Sequence, residues 1–147
     1  MHIILYTMFK LLQLFTVLTV ASSKVTSFTY KSCGVDSDIA QNVVLNVDPV
    51  LPEVDYILYL NADLSNQVDN GTSKYSITYN FIPLSPTIND LCTEISNSNI
   101  SCPLNDHISL QSKGTIPVGV SGSTIIKNEW FNGNNERILC MLFNIKS

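Results

Sequence analysis

Tyr75-Ser76-Ile77-Thr78-Tyr79-Asn80-Phe81 is the stretch that decides the fold. Tyr75, Ile77, Tyr79 and Phe81 alternate with Ser76, Thr78 and Asn80. In an extended chain successive side chains point to opposite faces, so this segment has one apolar, aromatic face and one polar face. Such a period of two belongs to a half-buried β-strand. Asp69-Asn70-Gly71, just upstream, reads as a hairpin turn, because Asn and Gly accept the positive φ that a tight turn needs. Pro83 and Pro86 close the strand, since proline has no N–H to give to a ladder.

The same signals recur outward from this segment. Upstream, Val25–Cys33 alternates around Phe28 and Tyr30 and stops at Gly34. Asn42–Asp48 puts Val43, Leu45 and Val47 on one face, and Pro49 and Pro52 follow. Tyr56–Leu60 is apolar on both faces, the pattern of a central strand. Downstream, His107–Gln111 sets Ile108 and Leu110 on one face, before Gly114 and Pro117. Val118–Phe131 reads as one strand or a bent pair, with Gly119 and Gly122 as kinks. Asn132-Gly133-Asn134-Asn135 is a second hairpin turn, and Arg137–Ile145 is apolar on both faces. No window beyond the N-terminal segment predicts an amphipathic helix. About seven or eight short strands with turns between them predict an antiparallel sandwich or barrel.

Met1–Ser23 stands apart. Lys10 precedes the short apolar run Leu11–Ala21, and Ala21, Ser22 and Ser23 are small. This is the pattern of a cleaved signal peptide spanning 1–23. It leaves 24–147 as one domain, with a secreted or lysosomal location. Compartment and cysteines then agree, because disulfides persist on the secretory route. Cys92 and Cys102 flank the polar segment Thr93–Ser101, whose turn formers read as a loop entered and left by two strands lying side by side. Cys33 and Cys140 lie near the two ends of the domain. Four cysteines permit three pairings, and the sequence alone does not choose. Nearest-neighbour closure of Cys92 with Cys102 favours the nested set that leaves Cys33 to Cys140.

Composition narrows function. A net charge of −4, with Lys and Arg scattered, disfavours a nucleic-acid partner. Wide, irregular Cys spacing without a C-x-x-C pair disfavours a zinc site, and no other metal or cofactor is implied. After removal of the leader His107 is the only histidine. Gly119-Val120-Ser121-Gly122-Ser123 is not the G-x-S-x-G of a nucleophile elbow, so no catalytic residues are assigned. Asn70-Gly71-Thr72 and Asn99-Ile100-Ser101 are glycosylation sequons in predicted turns. Asn99, in the longer and more polar segment, is the better acceptor.

Five short motifs, in this order and spacing, resemble the ML lipid-recognition domain: Tyr30-Lys31-Ser32-Cys33-Gly34, Asp90-Leu91-Cys92, Cys102-Pro103-Leu104, Ile116-Pro117-Val118-Gly119 and Ile138-Leu139-Cys140. That family includes the secreted Niemann–Pick type C sterol carrier and the fungal phosphatidylglycerol/phosphatidylinositol transfer proteins. The resemblance implies an immunoglobulin-like antiparallel β-sandwich with a lipid cavity between its sheets. It implies the pairs Cys33–Cys140 and Cys92–Cys102, and a non-enzymatic carrier of phospholipid or sterol that acts as a monomer in transient contact with membranes. The side chains expected at the cavity are Tyr75, Ile77, Tyr79 and Phe81, with Ile108, Leu110, Pro117, Val118 and Trp130 from later strands. The alternative is a sandwich with a filled core that recognises a protein or glycan through its loops.

Overall fold

The computed structural model describes residues 26–48, 55–115 and 121–147. The leader reading at 1–23 and the cavity expectation for Pro117 and Val118 fall outside these residues. Those described form nine strands and one helix: β1 (Ser27–Ser32), β2 (Ala40–Asp48), β3 (Asp55–Leu64), β4 (Gly71–Tyr79), β5 (Ile82–Pro83), β6 (Thr87–Asp90), α1 (Leu91–Ser96), β7 (His107–Thr115), β8 (Ser123–Asn132) and β9 (Arg137–Lys146). One sheet runs β1-β9-β8-β4-β5, with β6 also on β4; the other runs β2-β3-β7. Every pairing is antiparallel. The two sheets face each other across one apolar core, a two-layer sandwich.

The two strands read as apolar on both faces are interior strands. β9 lies between β1 and β8, with Ile138 to Met141 all buried, and β3 lies between β2 and β7. Even-numbered residues of β3 point inward, and Leu58, Leu60, Ala62 and Leu64 are buried. On β7 Ser112 stands opposite Leu58, Leu110 opposite Leu60 and Ile108 opposite Ala62. Both nested disulfides are present: Cys33–Cys140, Cα atoms 4.9 Å apart, and Cys92–Cys102, 5.6 Å apart. The first ties β1 to β9, and the second ties α1 to the segment entering β7.

Four expectations are corrected. Asp69-Asn70-Gly71 does not close a hairpin, because β3 and β4 belong to different sheets. The segment crosses between layers and is pinned by the isolated bridge Val68–Leu104. Gly71 serves closeness instead: a Cβ there would lie 2.2 Å from the Phe131 carbonyl oxygen. Thr93–Ser101 is not wholly a loop, because Leu91–Ser96 is helical, with Asp90 as its N-cap accepting from Thr93 N at 2.7 Å. Leu91 and Ile95, one turn apart, are both buried under this helix. The strands around the segment do not run side by side either, since β6 pairs in one sheet and β7 in the other. Finally, β4 ends at Tyr79. Asn80 and Phe81 both have positive φ, 46° and 69°, and turn the chain into β5. Phe81 therefore sits at a hairpin tip, 91% exposed, and not on the cavity face.

Candidate functional site: a cavity between the sheets

The inward face of the larger sheet is laid out in cross-strand rows. Ser73 opposes Trp130, which opposes Leu139; Tyr75 opposes Asn128, which opposes Met141; Ile77 opposes Ile126, which opposes Phe143. Between these rows and the smaller sheet lies a cavity of about 140 Å³. Tyr75, Asn128, Trp130, Met141 and Phe143 wall it on one side, and Tyr56, Leu58, Leu110 and Ser112 on the other. Glu94, Ile95 and Ser98, on or just after α1, roof it. A second space, a groove of about 980 Å³, opens along β7 and α1. Tyr75, Glu94, Ser98, Leu110 and Ser112 line both spaces, so they mark the junction between the interior and the outer groove.

The two ends of the interior differ in chemistry. Toward Phe143 it is aromatic: the Phe28 ring stands 6.3 Å from Phe143 and 6.3 Å from Tyr56, which reaches it from the opposite sheet. Tyr56 lies over Gly114, where a Cβ would come within 2.3 Å of the phenol. Burial raises the Tyr56 pKa. Toward Trp130 the interior is polar. Ser73 is fully buried and Asn128 is 4% exposed. Ser73 Oγ shares its proton between Asn128 Oδ1 at 3.1 Å and Glu94 Oε1 at 3.3 Å. The Tyr75 hydroxyl donates to Glu94 Oε1, and Asn89 Nδ2 donates to Glu94 Oε2 at 3.3 Å. Burial, then the Glu94 carboxylate, push the Tyr75 phenol far above its ordinary value, so it is a neutral donor.

Of the side chains expected at the cavity, Tyr75, Leu110 and Trp130 are brought together on its wall. Ile108 is buried in the core further along β7. Ile77 and Tyr79 share the strand face of Tyr75 but lie beyond the described cavity wall, and the Tyr79 hydroxyl donates to the Ser121 carbonyl at 2.6 Å. Tyr56, Leu58, Met141 and Phe143 were not anticipated. Their strands are apolar on both faces, and pattern alone does not say which face looks inward. Glu94 carried a usable signal, namely the Asp90 cap, acidic first turn and Leu91–Ile95 spacing of a short helix. Both sequon asparagines are exposed, and Asn99 borders the outer groove.

Solved structures that share this architecture include the following two. Chicken MD-1 complexed with lipid IVa superposes with a TM-score of 0.58 at 16% identity, covering 82% of this chain and 88% of that one. A Niemann-Pick type C2 protein from Japanese carpenter ant gives 0.56 at 20% identity, covering 79% and 96%. At such identities the likeness is one of fold, an immunoglobulin-like β-sandwich. No curated protein matches the chain in sequence. The family model of the ML domain matches residues 27–147, from the first strand to the last residue, and the chain belongs to that family.

Proposed function

We propose that the protein binds a lipid and carries it between membranes by sequestering the apolar tail between the two sheets. The carrying observation is the inter-sheet cavity and its junction with an open groove. Membership of the ML family and the lipid IVa complex of the related MD-1 fold support the same reading. Each methylene buried is worth about 0.8 kcal/mol, so a tail of ordinary length offsets a large desorption cost. A cavity of about 140 Å³ is close to an engineered cavity of about 150 Å³ that takes benzene. A whole tail therefore needs the layers to part or the tail to run on through the junction. Such parting costs least at an edge, and β7 has a partner on one side only among the described residues.

No bond is made or broken in this scheme, so the protein is a carrier and not an enzyme, and it works as a monomer in the secretory route or the lysosomal lumen. The ligand is a phospholipid or a sterol. Phe81, Ile82, Leu84 and Ile88, each at least half exposed along the β4–β6 segment, offer an apolar surface for transient contact with the donor membrane. Organic extraction and mass spectrometry of the purified protein, together with transfer of a fluorescent lipid between vesicles, test the reading. Co-purifying lipid and accelerated transfer are expected. A protein that carries no lipid and transfers none is a filled sandwich, and recognition through its loops becomes the better account.

A further inference from the structure

Trp130 is 96% buried by its 4% exposure, lines the inter-sheet cavity, and holds the one buried side-chain polar atom among the described residues that lacks a hydrogen-bond partner, Nε1. An indole N–H only donates, and a buried donor left unmatched is costly. In the next row, two residues away on the same face, Asn128 joins Ser73, Tyr75 and Glu94 in the polar cluster that borders the same cavity. Residues two apart on a strand are about 7 Å apart. One small group between the rows can therefore face both Trp130 and the cluster.

We propose that this cavity selects lipids whose polar group is an uncharged hydroxyl, seated between Trp130 Nε1 and the cluster formed by Ser73, Asn128, Tyr75 and Glu94. The inference rests on the lipid-binding reading and names the ligand class. A hydroxyl oxygen accepts from the indole, while its proton reaches the acceptor oxygens of Glu94 or Asn128. An ionised carboxylate or phosphodiester has no proton to give and meets the Glu94 carboxylate as a like charge. An ester carbonyl answers the indole alone, and an alkyl chain answers neither side. The tail then points along the rows toward Met141 and Phe143, into the aromatic end.

The chain has a single tryptophan, so its indole N–H gives one resolved ¹H–¹⁵N resonance. The purified protein, stripped of lipid on a hydrophobic resin, is equilibrated separately with dodecanol, dodecane and dodecanoate. Dodecanol should shift the indole resonance, and dodecane should not. Trp130→Phe should lower the dodecanol-to-dodecane affinity ratio by about tenfold, one hydrogen bond's worth, whatever the smaller ring does to the affinity for both compounds. Glu94→Gln should narrow the preference for dodecanol over dodecanoate. Because the resonance is read on the unmodified protein, the test survives a variant that fails to fold. Binding of all three compounds with the same indole shift means that bound water serves the indole, and overturns the hydroxyl site while lipid binding stands. Binding of none overturns both.

Discussion

The larger sheet carries a buried polar cluster on each face, and the two clusters are built on opposite rules. On the outer face Arg137 Nε donates to Asp38 Oδ1 at 2.8 Å and Nη1 to Glu129 Oε1 at 3.1 Å. Lys127 Nζ adds a contact of 2.9 Å to the same Glu129 oxygen, and Asp38 Oδ2 accepts from Val35 N at 3.0 Å. Every charge there has an opposite partner. On the inner face the cluster is mostly neutral, has one carboxylate, Glu94, without an ion pair among the described residues, and lies beside an indole with an unmet donor. A closed set of charges holds strands in place. An open set of donors and acceptors beside a cavity is complete only with something added. The first is a clamp, and the second is a candidate ligand site.

The comparison breaks if the outer face proves dispensable. Cys140 stands opposite Glu129 in the ladder, so the Cys33–Cys140 disulfide belongs to this face. With a sequence separation of 107, loop closure alone assigns it about 5 kcal/mol, against about 3 kcal/mol for Cys92–Cys102 with a separation of 10. Replacing both cysteines of each pair with serine and comparing denaturation midpoints measures the order. A larger loss from the Cys92–Cys102 pair would reverse the roles given to the two faces.

Arg137→Leu removes the common partner of Asp38 and Glu129, whose side chains are 3% and 11% exposed. Glu129 keeps Lys127, but Asp38 is left buried without a cation, and breaking a buried pair this way costs about 3–5 kcal/mol. The same cluster sets an acid limb. Burial pushes the Glu129 pKa up, but Lys127 and Arg137 outweigh it and hold the carboxyl below its ordinary 4.5. A depressed carboxylate stabilises the fold above the unfolded pKa, and that contribution is lost as pH falls through the folded value. The loss should begin near pH 4.5 and grow below it, and Glu129→Gln should flatten it. An unchanged acid limb in Glu129→Gln would remove the clamp from the account.

The inner face should respond more weakly in stability and more strongly in binding. Tyr75→Phe deletes one donor to Glu94, which keeps Ser73 and Asn89, so a loss of about 1 kcal/mol is expected. Lipid uptake, measured with the same fluorescent probe, should change by a larger factor than the denaturation midpoint implies. Gly114→Ala sharpens the point from the other sheet, because a Cβ there displaces the Tyr56 phenol that walls the cavity.

Much of the fold was legible from the period of two in Tyr75–Tyr79 and from strands apolar on both faces, which are interior here because a neighbouring strand pairs with each of their edges. The layer assignment was not. Asp69-Asn70-Gly71 has hairpin chemistry, yet the chain uses it to cross between sheets, since the pairing of β4 with β8 is a contact of distant segments that no local turn encodes. The site was legible only in its apolar part. Tyr75, Leu110 and Trp130 carry the pattern of inward residues, whereas Ser73 and Asn128 are polar on an inward face and read as outward until the sheet is assembled. Phe81 continues the alternation in sequence, and the turn that removes it from the face lies in backbone angles that alternation does not report.

Phe81 offers the smallest effect on stability. Two-residue hairpin loops with positive φ at both positions favour Asn-Gly, because glycine has no Cβ to clash there. This chain has Asn80-Phe81 with φ of 46° and 69°. Asn80 fits the turn and accepts from Ser123 N at 2.8 Å, while Phe81, 91% exposed, gains almost no burial for a strained backbone. Phe81→Gly should therefore leave the fold unchanged or stabilise it by up to about 1 kcal/mol. The two readings of the ring separate on transfer. If the ring touches the donor membrane, Phe81→Gly slows lipid transfer between vesicles while equilibrium affinity for the same lipid stays constant, because the cavity wall is untouched. A stable variant with an unchanged transfer rate would take membrane contact away from the hairpin tip and leave the interior face as the whole of the site.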